Sequence, residues 1–304
     1  MRLIESKAEY IPQEEGLEGI YKIIELAGRT AYHSQDKITP DSAKDFVDRM
    51  IKSKHGAALE AGTVYLKVPV EIYREDGHEW SYMFPEELPW VSLDCDGKYW
   101  YITTNFRHIL EGNVGVETMN EYLCSPTESH DKRYTMRFTC SRGISHELVR
   151  SRTMSFLQES QRYINYSKGR HGGEITFIKP CWYNDKKAAV FEKPKTILEA
   201  NIVSQDSKSY QFEKQLSSAE AAYFRLLTEG CQPQQARDVL PNATKTELIM
   251  TGFSSNWKFL MDLRLFEKTG KVHPDMLNLM QKAQRAMQEA GIWEDIISNP
   301  SKFD

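Results

Sequence analysis

The sequence predicts an α+β fold in a single domain over residues 1–304, with a mixed or antiparallel sheet flanked by long helices. Segments with helical apolar spacing and segments of alternating residues follow one another without the regular strand–helix–strand order of a parallel α/β sheet. No Gly/Ser-rich linker, internal repeat or low-complexity segment divides the chain. A composition of 40% hydrophobic and 27% charged residues is that of a folded globular chain.

The N-terminal part begins with two predicted helices, over residues 17–29 and 40–54. Apolar side chains recur there at helical spacing, and a Pro-Asp pair is well suited to begin the second helix. Residues 62–70 alternate and are rich in β-branched side chains, which predicts a strand. Pro, Glu and Asp are frequent in residues 75–96, so a surface excursion is expected there.

The middle of the chain is predicted to mix strands and helices. Alternation predicts strands over 98–104 and 133–140, with a short helix over 105–111 between them. An apolar stripe predicts a helix over 141–152, and a further strand is expected over 174–178, where a proline closes it.

The C-terminal third is predicted to be helical. A helix over 218–239 stops before a proline, and a second over 244–267 follows it. Thr244 and Glu247 have the spacing of a capping box, which favours a helix start at that point. The last helix is predicted over 275–289.

Cations are concentrated in the stretch 133–171, although the whole chain carries a net charge of -4. Eight Lys/Arg against two Glu leave this stretch at +6 and the rest of the chain at -10. Apolar residues interleave with the arginines, so the stretch favours a wall that binds a phosphate-bearing small molecule over a solvated basic face. A nucleic-acid surface is not expected, because the pI is only about 6.1. The eight cations are Arg133, Arg137, Arg142, Arg150, Arg152, Arg162, Lys168 and Arg170.

Cysteine usage and hydropathy predict a soluble, cytoplasmic protein with no membrane partner. The five cysteines form no CxxC pair, which disfavours both a disulfide scaffold and a zinc site, so no metal is expected. No apolar run reaches the ~18 residues of a membrane span, and the first residues lack the apolar core of a signal peptide.

The segment Arg150-Ser-Arg-x7-Ser160-Gln-Arg162-Tyr163 resembles the signature of flavin-dependent thymidylate synthases, which reads Arg-His-Arg, seven residues, Ser, usually one further residue and then Arg-Tyr. Several further blocks resemble the same family in the same order, and together they cover most of the chain. They are GRTAYHS (28–34), KHGAALEAGTVYL (54–66), RFTCSRGISHELVRSRTMSFLQESQRY (137–163), NYSKGRHGGEITFIKPCW (165–182), QPQQARDVLPNATKTELIMTGFSSNWKFLMDLR (232–264) and the block from His273.

The resemblance implies the fold of that family and its reaction, the reductive methylation of dUMP to dTMP. Methylenetetrahydrofolate supplies the carbon, and FAD reduced by NADPH supplies the hydride. No cysteine nucleophile is needed, because the cofactor carries the chemistry and the protein supplies orientation and electrostatics. The resemblance also implies a homotetramer with shared active sites, with dUMP and folate as small-molecule partners and no nucleic acid.

By the same resemblance, six residues bind dUMP and four bind FAD. Arg264 is the catalytic candidate, since the matching arginine contacts the uracil and stabilises charge on its carbonyl oxygen. An alternative role for Arg264 is to compensate the helix dipole at a helix C-terminus. His273 is alternatively a residue that simply begins a helix. Asn105 and Arg107 match a block that some longer members carry. The dUMP set is Glu147, Gln158, Ser160, Arg162, Arg237 and Arg264, and the FAD set is Arg150, Ser151, Arg152 and His273.

Three residues depart from the family pattern. Ser151 replaces the central histidine of the motif, Ala61 replaces a histidine, and Phe253 replaces an asparagine. By resemblance all three lie on the flavin or folate side, whereas the phosphate-binding residues are retained. An alternative is therefore a paralogue on the same fold that binds dUMP but has altered one-carbon chemistry or no flavin-dependent catalysis.

Overall fold

The computed structural model describes residues 1–75, 84, 88–112, 114–168, 172–183 and 208–300, and every structural statement below concerns these residues. The chain divides into two compact units. The smaller unit contains residues 1–6, 139–147 and 160–246, and the larger unit contains residues 7–138, 148–159 and 247–304. The single domain predicted from the sequence stays a prediction.

The described residues contain strands and helices in an irregular order, which confirms the α+β fold class. The strands are β1 (Arg2–Ile4), β2 (Lys7–Ile11), β3 (Thr63–Pro69), β4 (Ser92–Cys95), β5 (Tyr99–Asn105), β6 (Arg133–Ser141), β7 (Ser155–Gln158), β8 (Thr176–Ile178) and β9 (Lys245–Phe253). The helices are α1 (Gly16–Ala31), α2 (Ser42–Lys52), α3 (Gly56–Leu59), α4 (Val70–Glu75), α5 (Phe106–Glu111), α6 (Val116–Tyr122), α7 (Arg142–Leu148), α8 (Lys208–Thr228), α9 (Pro233–Ala236), α10 (Ser254–Arg264), α11 (Pro274–Glu289) and α12 (Trp293–Ile297). None of the helices in these ranges combines the length and apolar character that crossing a bilayer requires.

Two sheets characterise the larger unit. One is an antiparallel sheet in the order β3-β5-β4, in which Thr63 pairs with Asn105 and Pro69 with Tyr99. The other has the order β2-β6-β9-β7, and β7 runs antiparallel to β9. A core of buried side chains from α1, α2, β3, β5 and α5, including Ile24 and Phe106, packs against the first sheet. The start of β3 therefore lies beside the end of β5.

The smaller unit is organised around a long helix and a two-stranded parallel pair. Strand β1 pairs with β8, with Leu3 opposite Phe177. Side chains of α8, including Leu216 and Tyr223, are buried in one cluster with Ile175 and Phe177. The apolar face of α8 thus stabilises the short strand pair.

The helix predicted over 244–267 is wrong in its first half. Residues Lys245–Phe253 form β9, and α10 begins only at Ser254. A short apolar run flanked by polar residues does not distinguish a buried helix from a strand buried on both faces, and β9 is central in its sheet. The Thr244 hydroxyl donates to the carbonyl of Pro241 at 2.7 Å rather than capping a helix.

The helix predicted over 218–239 is also divided differently. Helix α8 begins earlier, at Lys208, and ends at Thr228. Gly230 follows with a φ of 95°, a left-handed conformation that ends a helix. A short helix then begins at Pro233, and a 3-10 turn over Arg237–Val239 follows it.

The remaining predicted elements are confirmed within a few residues, except that the helix expected over 141–152 already ends at Leu148. The predicted excursion lies partly outside the described residues, which omit 76–83 and 85–87. Its described end contains β4, whose Ser92 pairs with Thr103 of β5.

Candidate functional site

A cavity of about 230 Å³ lies in the larger unit, where β5 ends and β7 begins. The sheet register explains how it forms, since pairing of Thr63 with Asn105 brings the residues before β3 next to those after β5. One wall comes from the turn that carries Arg152, a predicted FAD residue. The lining residues are Glu60, Pro89, Trp90, Asn105, Arg107, His108, Glu111, Arg152, Thr153, Met154 and Ser155.

Arg107 is held by two carboxylates on one side of this cavity. Its Nη1 lies 2.7 Å from Glu60 Oε1, and its Nε lies 2.7 Å from Glu111 Oε1. The hydrogen bonds that Arg107 donates to Glu111 and then to Glu60 raise the pKa of its guanidinium, so it stays charged. Asn105 caps helix α5, because its Oδ1 accepts from the backbone N–H of His108 at 2.9 Å. Both residues thus shape the wall of the cavity.

Arg150, Ser151 and Arg152 lie on the turn between α7 and β7. The backbone N–H of Ser151 donates to the carbonyl of Leu148, and that of Met154 donates to Ser151. Both arginines are exposed, and neither forms an ion pair with a carboxylate of the described residues. Because the helix stops at Leu148, the turn presents these guanidinium groups to solvent.

The predicted cationic stretch therefore separates into different environments. Arg137 forms an ion pair with Glu9 at 3.0 Å, whereas Arg150, Arg152 and Arg162 are exposed and form none with the described residues. Arg170 lies outside the described residues.

Gln158 ends β7, and the next residue, Glu159, is a buried carboxylate with several partners. Glu159 Oε1 lies 2.9 Å from His33 Nδ1, and its Oε2 accepts from the backbone N–H of Glu247 at 3.0 Å. Its own backbone N–H donates to the carbonyl of Glu247 at 2.8 Å. The Glu159 side chain is only 2% exposed, so these contacts fix the end of β7 firmly.

His33 reaches this carboxylate from the end of α1. Its φ is 50°, an uncommon left-handed conformation for a residue other than glycine. Gln35, two residues later, donates to Glu247 Oε2 at 3.2 Å. The block GRTAYHS, which contains His33, thus contacts the residues around Gln158.

Two of the three family departures are buried near Arg133. The Arg133 guanidinium donates to the carbonyls of Thr104 at 3.2 Å and Glu60 at 3.3 Å. Its carbon Cζ lies 5.7 Å from the centre of the Phe253 ring. Burial lowers the pKa of Arg133 to about 10, which still leaves it charged at neutral pH. Phe253 is thus the aromatic cover of a buried cation, and Ala61 packs with Ala27 and Ile249.

In the smaller unit, the structure brings Ser160 and Arg162 together on one turn. Ser160 Oγ accepts from the backbone N–H of Arg162 at 3.3 Å, and Arg162 lies over the ring of Tyr163 with 5.5 Å to its centre. Glu147 is half-buried near the end of α7. Arg237 is half-buried in its 3-10 turn.

Arg264 and His273, both in the larger unit, flank the loop between two helices. Arg264 is the last residue of α10, as expected from the sequence, and is half-buried. His273 is the N-cap of α11, since its Nδ1 accepts from the backbone N–H of Asp275 at 3.2 Å. The helix-start role considered for His273 is therefore present in the structure.

Sequence reasoning missed several residues of this region, namely Trp90, His108, Glu60 and Glu111 around the cavity and the pair His33–Glu159. Trp90 lies in a segment interpreted only as an excursion. The pairing of Glu60 with Arg107 joins residues 47 positions apart, and no local pattern reports such a contact.

Comparison with known proteins identifies a family. The family profile described as thymidylate synthase complementing protein matches residues 119–290. A flavin-dependent thymidylate synthase of Pyrococcus furiosus is 28% identical over 189 residues, which is 60% of this chain and 67% of the relative. One of Pyrococcus abyssi is 27% identical over the same number of residues.

A solved structure also aligns with most of the chain. It is a UMP/dUMP methylase of Streptomyces cacaoi bound with 5-Br dUMP, with a TM-score of 0.41 and 16% identity over 97% of this chain and 93% of that chain. The family expectation itself is confirmed by the profile, which spans more than half of the 304 residues. The chain belongs to the thymidylate synthase complementing protein family.

Proposed function

We propose that this chain is a flavin-dependent methyltransferase that converts dUMP to dTMP. Methylenetetrahydrofolate supplies the carbon, and FAD reduced by NADPH supplies the hydride. The observation that carries the proposal is the matched span, since residues 119–290 contain all ten residues proposed for the two binding sites. We further propose that the protein acts in the cytoplasm as a homotetramer with shared active sites, without a nucleic-acid or membrane partner.

The dUMP phosphate is assigned to Ser160, Arg162 and Arg237. A phosphate near neutral pH carries close to two negative charges, and charge-assisted bonds from arginine suit it. The turn at Ser160 supports this assignment, because it holds the hydroxyl beside the backbone N–H of Arg162 while the guanidinium stays exposed. Glu147 and Gln158 are assigned to the rest of the nucleotide.

The FAD diphosphate is assigned to Arg150 and Arg152, with Ser151 and His273 as further contacts. Two exposed guanidinium groups on one turn, without carboxylate partners among the described residues, fit a ligand with several phosphate oxygens. When bound, the flavin supplies hydride transfer. This chain's residues bind and orient it and exclude water from it.

Arg264 is assigned to the uracil carbonyl oxygen, where a fixed cation stabilises developing negative charge. Arg264→Ala is expected to abolish dTMP formation while FAD remains bound, which a product assay and an absorption spectrum on the same sample measure. Arg285→Ala, an exposed arginine on α11, is the matched control. Normal turnover by Arg264→Ala contradicts the assignment.

The first experiment is a visible absorption spectrum of the purified protein, followed by FAD titration with and without dUMP. The proposal expects bound flavin that bleaches with NADPH and dTMP formation once methylenetetrahydrofolate is added. Protein that binds dUMP but no flavin contradicts it and supports a nucleotide-binding paralogue. This second candidate is favoured by the three departures from the family pattern, at Ser151, Ala61 and Phe253.

A further inference from the structure

The cavity beside Arg152 is built from two parts of the chain. Arg152, Thr153, Met154 and Ser155 belong to the span matched by the family profile, residues 119–290. The other lining residues precede that span, including Glu60, Trp90 and His108. Residues outside the matched span therefore complete a wall around a predicted cofactor-binding arginine.

Trp90 gives this cavity an exposed aromatic surface in a fixed position. The indole is 41% exposed, and its Nε1–H donates to His108 Nδ1 at 3.3 Å. The two rings are tilted by 59° with centres 6.5 Å apart, and His108 packs edge-on against Phe84 at 5.3 Å. An indole that is anchored by its N–H and open on one side suits stacking with a planar ring.

Glu60 and Arg152 supply an acceptor and a cation around the same space. Oε1 of Glu60 accepts a hydrogen bond from Arg107, and its Oε2 accepts none from the described residues. Arg107 is neutralised by Glu60 and Glu111, whereas Arg152 has no carboxylate partner among the described residues. The cavity thus offers one aromatic face, one carboxylate oxygen and one guanidinium.

We propose that this cavity is a subsite for a planar heterocycle that carries N–H donors and is joined to an anionic group. The ring stacks on Trp90, its N–H edge donates to Glu60, and the anion binds Arg152. A volume of about 230 Å³ is smaller than the ~300–1,000 Å³ of whole ligand sites, so it holds the ring end of a longer ligand. The inference rests on the proposed function, whose FAD, NADPH and methylenetetrahydrofolate all have this chemistry.

The test compares Trp90→Leu with Trp182→Leu, which removes an exposed tryptophan of the smaller unit that packs on Phe212. Dissociation constants for FAD, NADPH, methylenetetrahydrofolate and dUMP are measured separately on the full chain, with circular dichroism as the check of folding. Trp90→Leu is expected to weaken one of the first three ligands about 3–10-fold, the effect of one stacking contact, and to leave dUMP affinity unchanged. The affected ligand identifies the source of the ring.

Trp90→Phe is expected to restore most of that affinity, and Glu60→Gln to weaken the same ligand. Wild-type affinities for all ligands in a folded Trp90→Leu protein overturn the subsite while the proposed function stands. If the wild-type protein binds none of the three cofactors, both proposals fall. A third outcome is that the wild-type protein binds the cofactors but makes no dTMP, while the Trp90→Leu variant binds one of them more weakly. In that case the subsite stands and the proposed reaction falls.

Discussion

Glu159 shows how much a single buried side chain contributes to the proposed site. It follows Gln158 and precedes Ser160, both assigned to dUMP, and its carboxylate holds His33 and a backbone N–H of β9. Because the side chain is 2% exposed, water does not replace these partners when they are lost. We therefore infer that Glu159 positions its two neighbours in the chain, Gln158 and Ser160.

Glu159→Ala is expected to lower the free energy of unfolding by about 2 kcal/mol, because it leaves the Glu247 N–H without its acceptor. It is also expected to raise KM for dUMP more than it lowers kcat. Glu159→Gln, which retains an acceptor oxygen, should recover most of the stability. Urea unfolding and steady-state kinetics measure both effects, and an unchanged KM in a folded Glu159→Ala protein contradicts the positioning role.

Cys140 allows a test of burial through pH. The thiol is 1% exposed, and burial raises its pKa from the ordinary 9.0 to about 12. Between these values the folded chain holds a proton that the unfolded chain has released, so stability falls as the pH rises from 9 to 12. Below pH 9 the contribution is fully present.

Cys140→Ala should remove the part of the alkaline loss of stability that this thiol causes. That part amounts to about 2 kcal/mol of the free energy of unfolding between pH 8 and 10.5. Urea unfolding at the two pH values measures it. Cys95→Ala, which changes an exposed cysteine, is the control and should follow the wild-type curve. Equal alkaline losses in wild-type protein and Cys140→Ala contradict the assignment.

Periodicity predicted the helices and strands that have one buried face, such as α1 and β3, because each shows its own apolar spacing. It failed for β9, whose consecutive buried residues Leu248, Ile249 and Met250 carry no period. It also missed β7, a four-residue strand directly after an arginine-rich turn. For the site, motif resemblance indicated Arg152, but the places of Glu60 and Trp90 in the same cavity wall depend on strand register and long-range packing.

Helix α10 contains a buried ion pair whose second member lies two residues before Arg264. Lys258 Nζ lies 2.7 Å from Asp262, and their side chains are 8% and 0% exposed. Lys268 also lies 3.8 Å from Asp262. Removing one member of a buried pair leaves an uncompensated charge, whereas replacing both with apolar residues is often neutral.

Asp262→Ala is expected to destabilise the protein by about 3–5 kcal/mol, and the double variant Lys258→Met/Asp262→Leu by much less. The exposed i,i+4 pair Lys44–Asp48 is the matched control, and Asp48→Ala should cost about 0.5 kcal/mol or less. Thermal unfolding of the four proteins measures these differences. Equal losses from Asp262→Ala and Asp48→Ala contradict the stabilising role of the buried pair.

At the scale of the whole molecule, the two proposed ligand sets differ in their place along the chain. The four residues assigned to FAD all belong to the larger unit, whereas four of the six assigned to dUMP belong to the smaller. A ligand that binds only the folded state raises stability by mass action, by about 2.7 kcal/mol at a hundred times its dissociation constant. The rise in stability caused by FAD and the rise caused by dUMP therefore test different sets of residues.

Arg162→Ala is expected to lose the rise in Tm caused by dUMP and to keep the rise caused by FAD. Arg152→Ala should show the opposite pattern. Arg225→Ala, an exposed arginine on α8, is the control for both ligands. A thermal shift assay with each ligand alone measures the effects, and loss of both shifts in either variant contradicts separate sets.

The contact between Phe253 and Arg133 couples two positions that lie 120 residues apart in the sequence. An asparagine at position 253, the residue expected from the family pattern, has no aromatic face to lay over a guanidinium whose hydrogen bonds go to carbonyl and hydroxyl oxygens rather than to a carboxylate. Phe253→Asn is therefore expected to lose the contact between the aromatic ring and the guanidinium of Arg133. Because the two side chains are in contact, the effect on stability of a substitution at position 253 is expected to depend on whether Arg133 is present.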